Sequence, residues 1–311
     1  MTQPPHPDPA AGGAAGLRAA TGALLDLDRV QGAGAAAAPA AAAVARARAG
    51  WRAAHRHRAP DAAALSALAE LLEVAGWILF DAERHDRALR LNRQALALAR
   101  HAGDRSLARL VVANLTMQQA HLGDSAASYR TATAVTDAGG LTPRVEAVFR
   151  IRQAHALADA GHRAEALRAL ARARSLFLDG PSDRDPPWAW WIDEDELTGH
   201  HGMVLARLGD LDRASGLLHA ATGSGQGPAY RSLFTAELLD VLVRSGAHDE
   251  AAALMGALAP HLAGIGSVRA LNSLRRTAGA AALARGPAGD VRDAARDLAR
   301  LLGAGPPSRR L

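Results

Sequence analysis

The chain has 311 residues, 49% of them apolar but only 4% aromatic, with 36 basic and 31 acidic side chains and a formal charge of +5. Every base is arginine and there is no cysteine, which excludes disulfides, thiol nucleophiles and cysteine-type zinc sites. The charges are finely interspersed, the longest basic block being His55-Arg56-His57-Arg58, so no nucleic-acid-binding stripe is indicated.

Residues 1–16 (MTQPPHPDPAAGGAAG) lack the basic and apolar regions of a signal peptide and read as a disordered leader. Residues 17–60 are expected to form a loosely packed, alanine-rich helical cap. Its two helices would lie near 17–30 and 40–57, separated by QGAGAAAAP. The alanine run at 35–43 is broken by Pro39 and too weakly apolar to span a bilayer. With the absence of cysteine, this points to a cytoplasmic protein without membrane contact.

Residues 61–303 read as successive helix pairs. Asp61 is an N-cap for an apolar face of Leu65, Leu68, Leu72, Ala75 and Leu79 at helical spacing. The expected pairs are 61–81 with 85–101, 105–121 with 125–137, and 143–160 with 163–178. They continue as 193–208 with 211–221, 229–245 with 248–263, and 267–284 with 288–302. Residues 304–311 read as a disordered tail.

The signal behind these pairs is a recurring Gly-x-x-x-x-Ala at Gly161…Ala166, Gly209…Ala214 and Gly246…Ala251, degraded at Gly123-Asp124, with Glu83…Ala88 one period earlier. The glycines are 38, 48 and 37 positions apart. Each falls just after a first helix, where glycine adopts a left-handed C′ conformation cheaply. A small residue follows the alanine by seven positions at Ala95, Ala173 and Ala221. The pattern resembles the tetratricopeptide repeat, in which each unit buries its apolar face only by stacking on neighbours. The fold expected is all-α, a right-handed solenoid of antiparallel helix pairs, with Ala88, Ala166, Ala214 and Ala251 buried at the helix crossings.

One spacing is about ten residues too long. The excess, LDGPSDRDPPWAWWIDEDEL, carries Pro181, Pro186 and Pro187, which forbid a continuous helix, then Trp188, Trp190 and Trp191, then Asp193, Glu194, Asp195 and Glu196. One reading packs the tryptophans on the preceding pair, with the acids at a helix N-terminus. The other makes Trp188, Trp190, Trp191, Asp193 and Glu194 a binding arm.

Three stretches, 71–104, 141–161 and 175–210, are similar to the tetratricopeptide-type sensor region of actinobacterial helix-turn-helix regulators of the XRE type. The resemblance implies a regulatory array that senses a ligand, peptide or partner. It does not extend to a DNA-reading domain, because residues 1–60 are mostly Ala, Gly and Pro.

Candidate chemistry is sparse. His200 and Glu196 share a helical face, but His201 points about a hundred degrees away and no third ligand follows, so no metal or other cofactor is expected. GSGQG at 223–227 precedes no lysine and reads as a loop, and no nucleophile elbow is present. No enzymatic activity is expected. The informative residues are those a first helix turns inward. With each turn residue as position fifteen, position nine gives Trp77, Met117, His155, Met203 and Asp240. Position thirteen gives Asp81, His121, Asp159, Arg207 and Arg244. The expectation is a concave groove, acidic early and basic late over a Trp and Met floor, that captures a protein, a peptide or a small effector. A second copy of the chain is a further candidate partner. The alternatives are a DNA-binding regulator with an atypical reader and, third, an enzyme marked by a buried cluster of convergent polar groups.

Overall fold

A computed structural model describes residues 13–57, 59–223, 229–284 and 289–303. The tail at 304–311 and most of the leader lie outside the described residues, as does most of the GSGQG segment.

Six antiparallel pairs follow the expected register. They are α2 (Ala62–Asp81) with α3 (His85–His101), α4 (Arg105–His121) with α5 (Ser125–Ala138), and α6 (Pro143–Asp159) with α7 (Arg163–Leu178). Then come α8 (Glu194–Arg207) with α9 (Leu211–Thr222), α10 (Ser232–Ser245) with α11 (His248–Leu258), and α12 (Val268–Leu283) with α13 (Gly289–Gly303). There is no strand among the described residues. Local chemistry sets the starts. Asp61, Asp104, Asp124 and Asp193 each accept a backbone N–H three residues on, at 2.8, 2.9, 3.0 and 3.0 Å. Gly123, Gly161, Gly209 and Gly246 end the first helices at φ of 86, 78, 79 and 80°.

Ala88, Ala166, Ala214 and Ala251 are all fully buried. The degraded second unit puts Ser128 at the equivalent place, also fully buried, and its hydroxyl has no hydrogen-bond partner. Among the described residues one helix, α2, is long and apolar enough to cross a membrane, and 78% of its most apolar window is buried inside the fold.

The N-terminal region differs from expectation. α1 runs from Ala14 to Ala54, and the supposed linker is helical apart from Gly32 (φ 74°, ψ 176°). Alanine's helix propensity carries the chain through the stretch, and a single glycine absorbs the break. The packing is not loose either: Leu17, Leu24, Ala36, Ala40, Val44 and Ala47 share one apolar cluster with α2 and α3.

The array also turns back on itself. Gly34 N–H donates to Gly266 O at 3.1 Å, and Gly32 and Gly266 approach so closely that a Cβ on Gly32 would lie 2.3 Å from Gly266 Cα. Val268 packs on the N-terminal cluster, and Arg269 and Asn272 of α12 bond Asp81 and Glu83. The last pair thus meets the first.

Candidate functional site

Along the inner helices the polar side chains bond from unit to unit. Arg207 of α8 places Nε 3.0 Å from Asp159 Oδ1 and an NH group 2.6 Å from His155 Nδ1, both on α6. His155 Nε2 lies 2.9 Å from His200 Nδ1, and His200 Nε2 lies 3.2 Å from Glu196 Oε1. Tyr230, in the short 3-10 segment Ala229–Arg231 before α10, donates its hydroxyl to Glu196 Oε2 at 3.1 Å. The adjacent Arg231 grips both oxygens of Asp193 at 2.6 and 2.7 Å.

The direction of this chain follows from its ends. A guanidinium only donates, so His155 Nδ1 accepts and its Nε2 carries the proton. His200 Nδ1 then accepts, and His200 Nε2–H donates to Glu196. Both imidazoles are thereby neutral. Their electrostatics agree: burial lowers His155 well below its usual range, with Arg207 and His200 adding to it. Burial also lowers His200, against the pull of Glu196. Tyr230 is pushed well up by burial and by the Glu196 charge.

Arg152 stands beside this network, buried, with its Nε unbonded. Burial brings its pKa down to about 10, although Glu196 and Tyr230 favour the charged form. The space between Ile151, Arg152, Trp191 and His200 is too small to hold a water molecule.

The structure sorts the expected groove residues into four groups. Asp159, Arg207, Asp240 and Arg244 line the inner face and remain partly exposed, with Arg244 bonded to Asp240 at 3.2 Å and to Ala206 O at 3.1 Å. His121 is exposed, its ring 5.2 Å edge-on from Phe80. Trp77 meets Tyr230 edge-on at 5.2 Å, so its ring is already covered by the chain's own tyrosine. The remainder are corrections. Asp81 is buried in an ion pair with Arg269 at 2.7 Å and accepts Ser267 Oγ–H at 2.9 Å, because α12 closes over it. Met203 lies in the apolar core, Met117 packs against the N-terminal cluster, and His155 is buried in the network. The separation of acids from arginines is overturned too, since Arg207 pairs with Asp159 of the preceding unit and Arg244 with Asp240 on its own helix. For the same reason Arg207 has a structural role that its position alone did not suggest.

Position thirteen and position nine were an incomplete reading of the inner stripe. Asn114, Arg152, His200 and Glu237 each lie nine residues before Gly123, Gly161, Gly209 and Gly246 respectively, one helical turn from position nine. All four are polar, a signal the period alone could have supplied. Arg276 of α12 also faces this region. It has no ion-pair partner among the described residues, yet its charge lowers the His121 pKa and opposes the rise in that of Glu237.

The arm at 179–193 splits between its two readings. Trp188 donates to Ser106 Oγ at 3.0 Å and Trp191 packs on the preceding pair, while Asp193 caps α8 and Glu194 pairs with Arg174. Only Trp190 projects, 67% exposed. Between the arm and α4 lies a cleft of about 420 Å³ bounded by Arg105, Arg109, Arg184 and Trp188.

These features define an all-α protein of stacked helix pairs whose inner face is polar. No protein-family model and no curated protein sequence matches the chain. Among solved structures it is similar to a Rap protein crystallised in complex with Competence and Sporulation Factor. The likeness covers 93% of this chain and 97% of that one, at 13% identity and a TM-score of 0.53. At that identity it shows the fold, a tetratricopeptide-like helical repeat.

Proposed function

We propose that the chain is a non-enzymatic regulatory protein that captures a protein or peptide partner on the inner face of its array. The surface concerned runs from Asp159 to Arg244 and includes Arg276. The observation that carries this reading is the row of partly exposed charge on α6, α8 and α10. The Arg207–Asp159 side chains are 35% and 30% exposed and the Arg244–Asp240 side chains 45% and 37%, while the alanines behind them are sealed. With Arg276 lacking an ion-pair partner among the described residues, the row favours an acidic-ended segment, which could exchange with Asp159 or Asp240 for the guanidiniums. The Rap protein with its bound factor supports the reading by analogy of fold only. A small acidic effector is a variant of the same reading.

The network of His155, His200, Glu196 and Tyr230 is the convergent polar cluster an enzyme would use. The space between its Glu196–His200 end and Arg152 is too small for a water, which favours a framework role. The regulated process, transcription in an actinobacterial cytoplasm by the resemblance above, would be reached through the partner. The first described stretch is one kinked helix, not a three-helix reader, which favours partner-mediated action over direct duplex binding.

Selection of displayed random peptides on the immobilised chain tests the proposal. Enrichment of acidic-ended sequences, confirmed by calorimetry at one peptide per chain, is expected. No enrichment, or binding to duplex DNA with a steep salt dependence, would reverse it.

A further inference from the structure

The turn between α2 and α3 breaks the rule the later turns obey. Where those units have glycine, the first has Glu83 at φ 56°, the only non-glycine with positive φ among the described residues. A side chain in that region carries a steric penalty that glycine escapes, so a glutamate there calls for a compensating use of its carboxylate.

The carboxylate is positioned. Asn272 of α12 donates to Glu83 Oε2, leaving Oε1 free. Two residues on, His85 opens α3, and His121 closes α4 in the next unit. One ligand atom from each of Glu83, His85 and His121 lies within 4.8 Å of the others. The imidazole rings are 5.1 Å apart, and Phe80 packs against both, at 5.6 and 5.2 Å. His85 Nδ1 is buried without any hydrogen-bond partner.

Two imidazoles and a carboxylate held by an outer amide form a recognised donor set for first-row divalent ions. Zinc, at about 2.0–2.1 Å from each nitrogen, would need its ligands roughly 3.3 Å apart, so closure asks the side chains to move inward by up to about 1.5 Å. All three sit at a turn or a helix end, where such rotation is open to them. We propose that Glu83, His85 and His121 bind one zinc ion at the junction of the first two units with α12, leaving a coordination position open to the inner face.

The surroundings cut both ways. Arg269 and Arg276 oppose a cation near His121, but Arg269 is neutralised by Asp81. None of the three ligands belongs to the Asp159–Arg244 row that carries the proposed function, although Arg207 and Arg276 of that surface reach His121 electrostatically.

The test uses chelator-treated full chain titrated with Zn²⁺ alone, and separately with Co²⁺. The wild type should bind one equivalent, with visible Co²⁺ bands of low coordination number. Glu83→Gly, His85→Ala and His121→Ala should each weaken zinc binding at least about tenfold. His219→Ala, on the exposed side of α9, should bind as the wild type does. Glu83→Gly is the decisive variant, because it restores the glycine of the other turns. It should fold normally and lose the zinc-induced rise in melting temperature. Absence of stoichiometric binding by the wild type, or wild-type affinity in the three ligand variants, would overturn the site.

Discussion

The first and fifth units each place on the inner stripe a carboxylate that pairs with a guanidinium, and the two pairs have different fates. Asp81 meets Arg269 across 188 residues of chain, with side chains only 3% and 6% exposed. Asp240 meets Arg244 within one helix, and both remain open to solvent. Nothing in local spacing separates them. The difference is that α12 seals the first pair with its own Arg269 and Ser267, whereas over the fifth unit it reaches Asp240 only through Thr277 at 3.5 Å and leaves the pair open to solvent. Repeat position therefore sets the direction of a side chain, and closure of the array decides its role as framework or as ligand-facing charge.

The contrast can be broken most directly at its buried end. Arg269→Ala leaves Asp81 uncompensated in the interior and should destabilise the chain by about 3–5 kcal/mol in urea unfolding. Arg244→Ala should cost less than about 1 kcal/mol. Equal losses would mean that the ends are not differently covered. A smaller effect is expected where units cross. Ala166→Leu has no free volume to enter and should destabilise by about 1–3 kcal/mol, read as a lower melting temperature.

A pH comparison sharpens the account of the buried end. Glu73 is held by Asn114 at 2.6 Å, yet burial, with Glu70, raises its pKa from 4.5 to about 8. Its protonated form is the one folding favours. The stability it contributes is full below pH 4.5 and is lost as pH rises to about 8. His121 runs the opposite way, since its pKa falls from 6.5 to about 4. Its contribution is present above pH 6.5 and lost as pH falls toward 4. Glu73→Gln isolates the first effect: it should match the wild type near pH 4 and melt higher above pH 8. The smallest change expected is a gain. Ser128→Ala restores the alanine of the other crossings and removes an unbonded buried hydroxyl, so it should stabilise by about 1 kcal/mol.

The pairs were legible because turn glycines and crossing alanines are local requirements, each enforced within one unit. Closure was not, since it accumulates from small rotations between units that no spacing records. That is why Asp81 read as a groove residue and proved to be sealed. The N-terminal linker misled because composition marks Gly32 and Gly34 alike, while only Gly32 leaves the helix. Glu83 and His121 sit on different units, so their proximity to His85 needed the fold.

The central claim, that the inner face is the binding surface, is tested most directly by the affinity of one selected acidic-ended peptide for three chains. These are the wild type, the double variant Arg207→Ala with Arg244→Ala, and Trp190→Ala. The account predicts a loss of about 2 kcal/mol or more for the double variant and wild-type affinity for Trp190→Ala. Because Arg207 also bonds Asp159 and His155, the comparison is made at a temperature where circular dichroism shows both variants folded. Unchanged binding by the double variant, with loss on removing Trp190, would place the partner on the arm and contradict the claim.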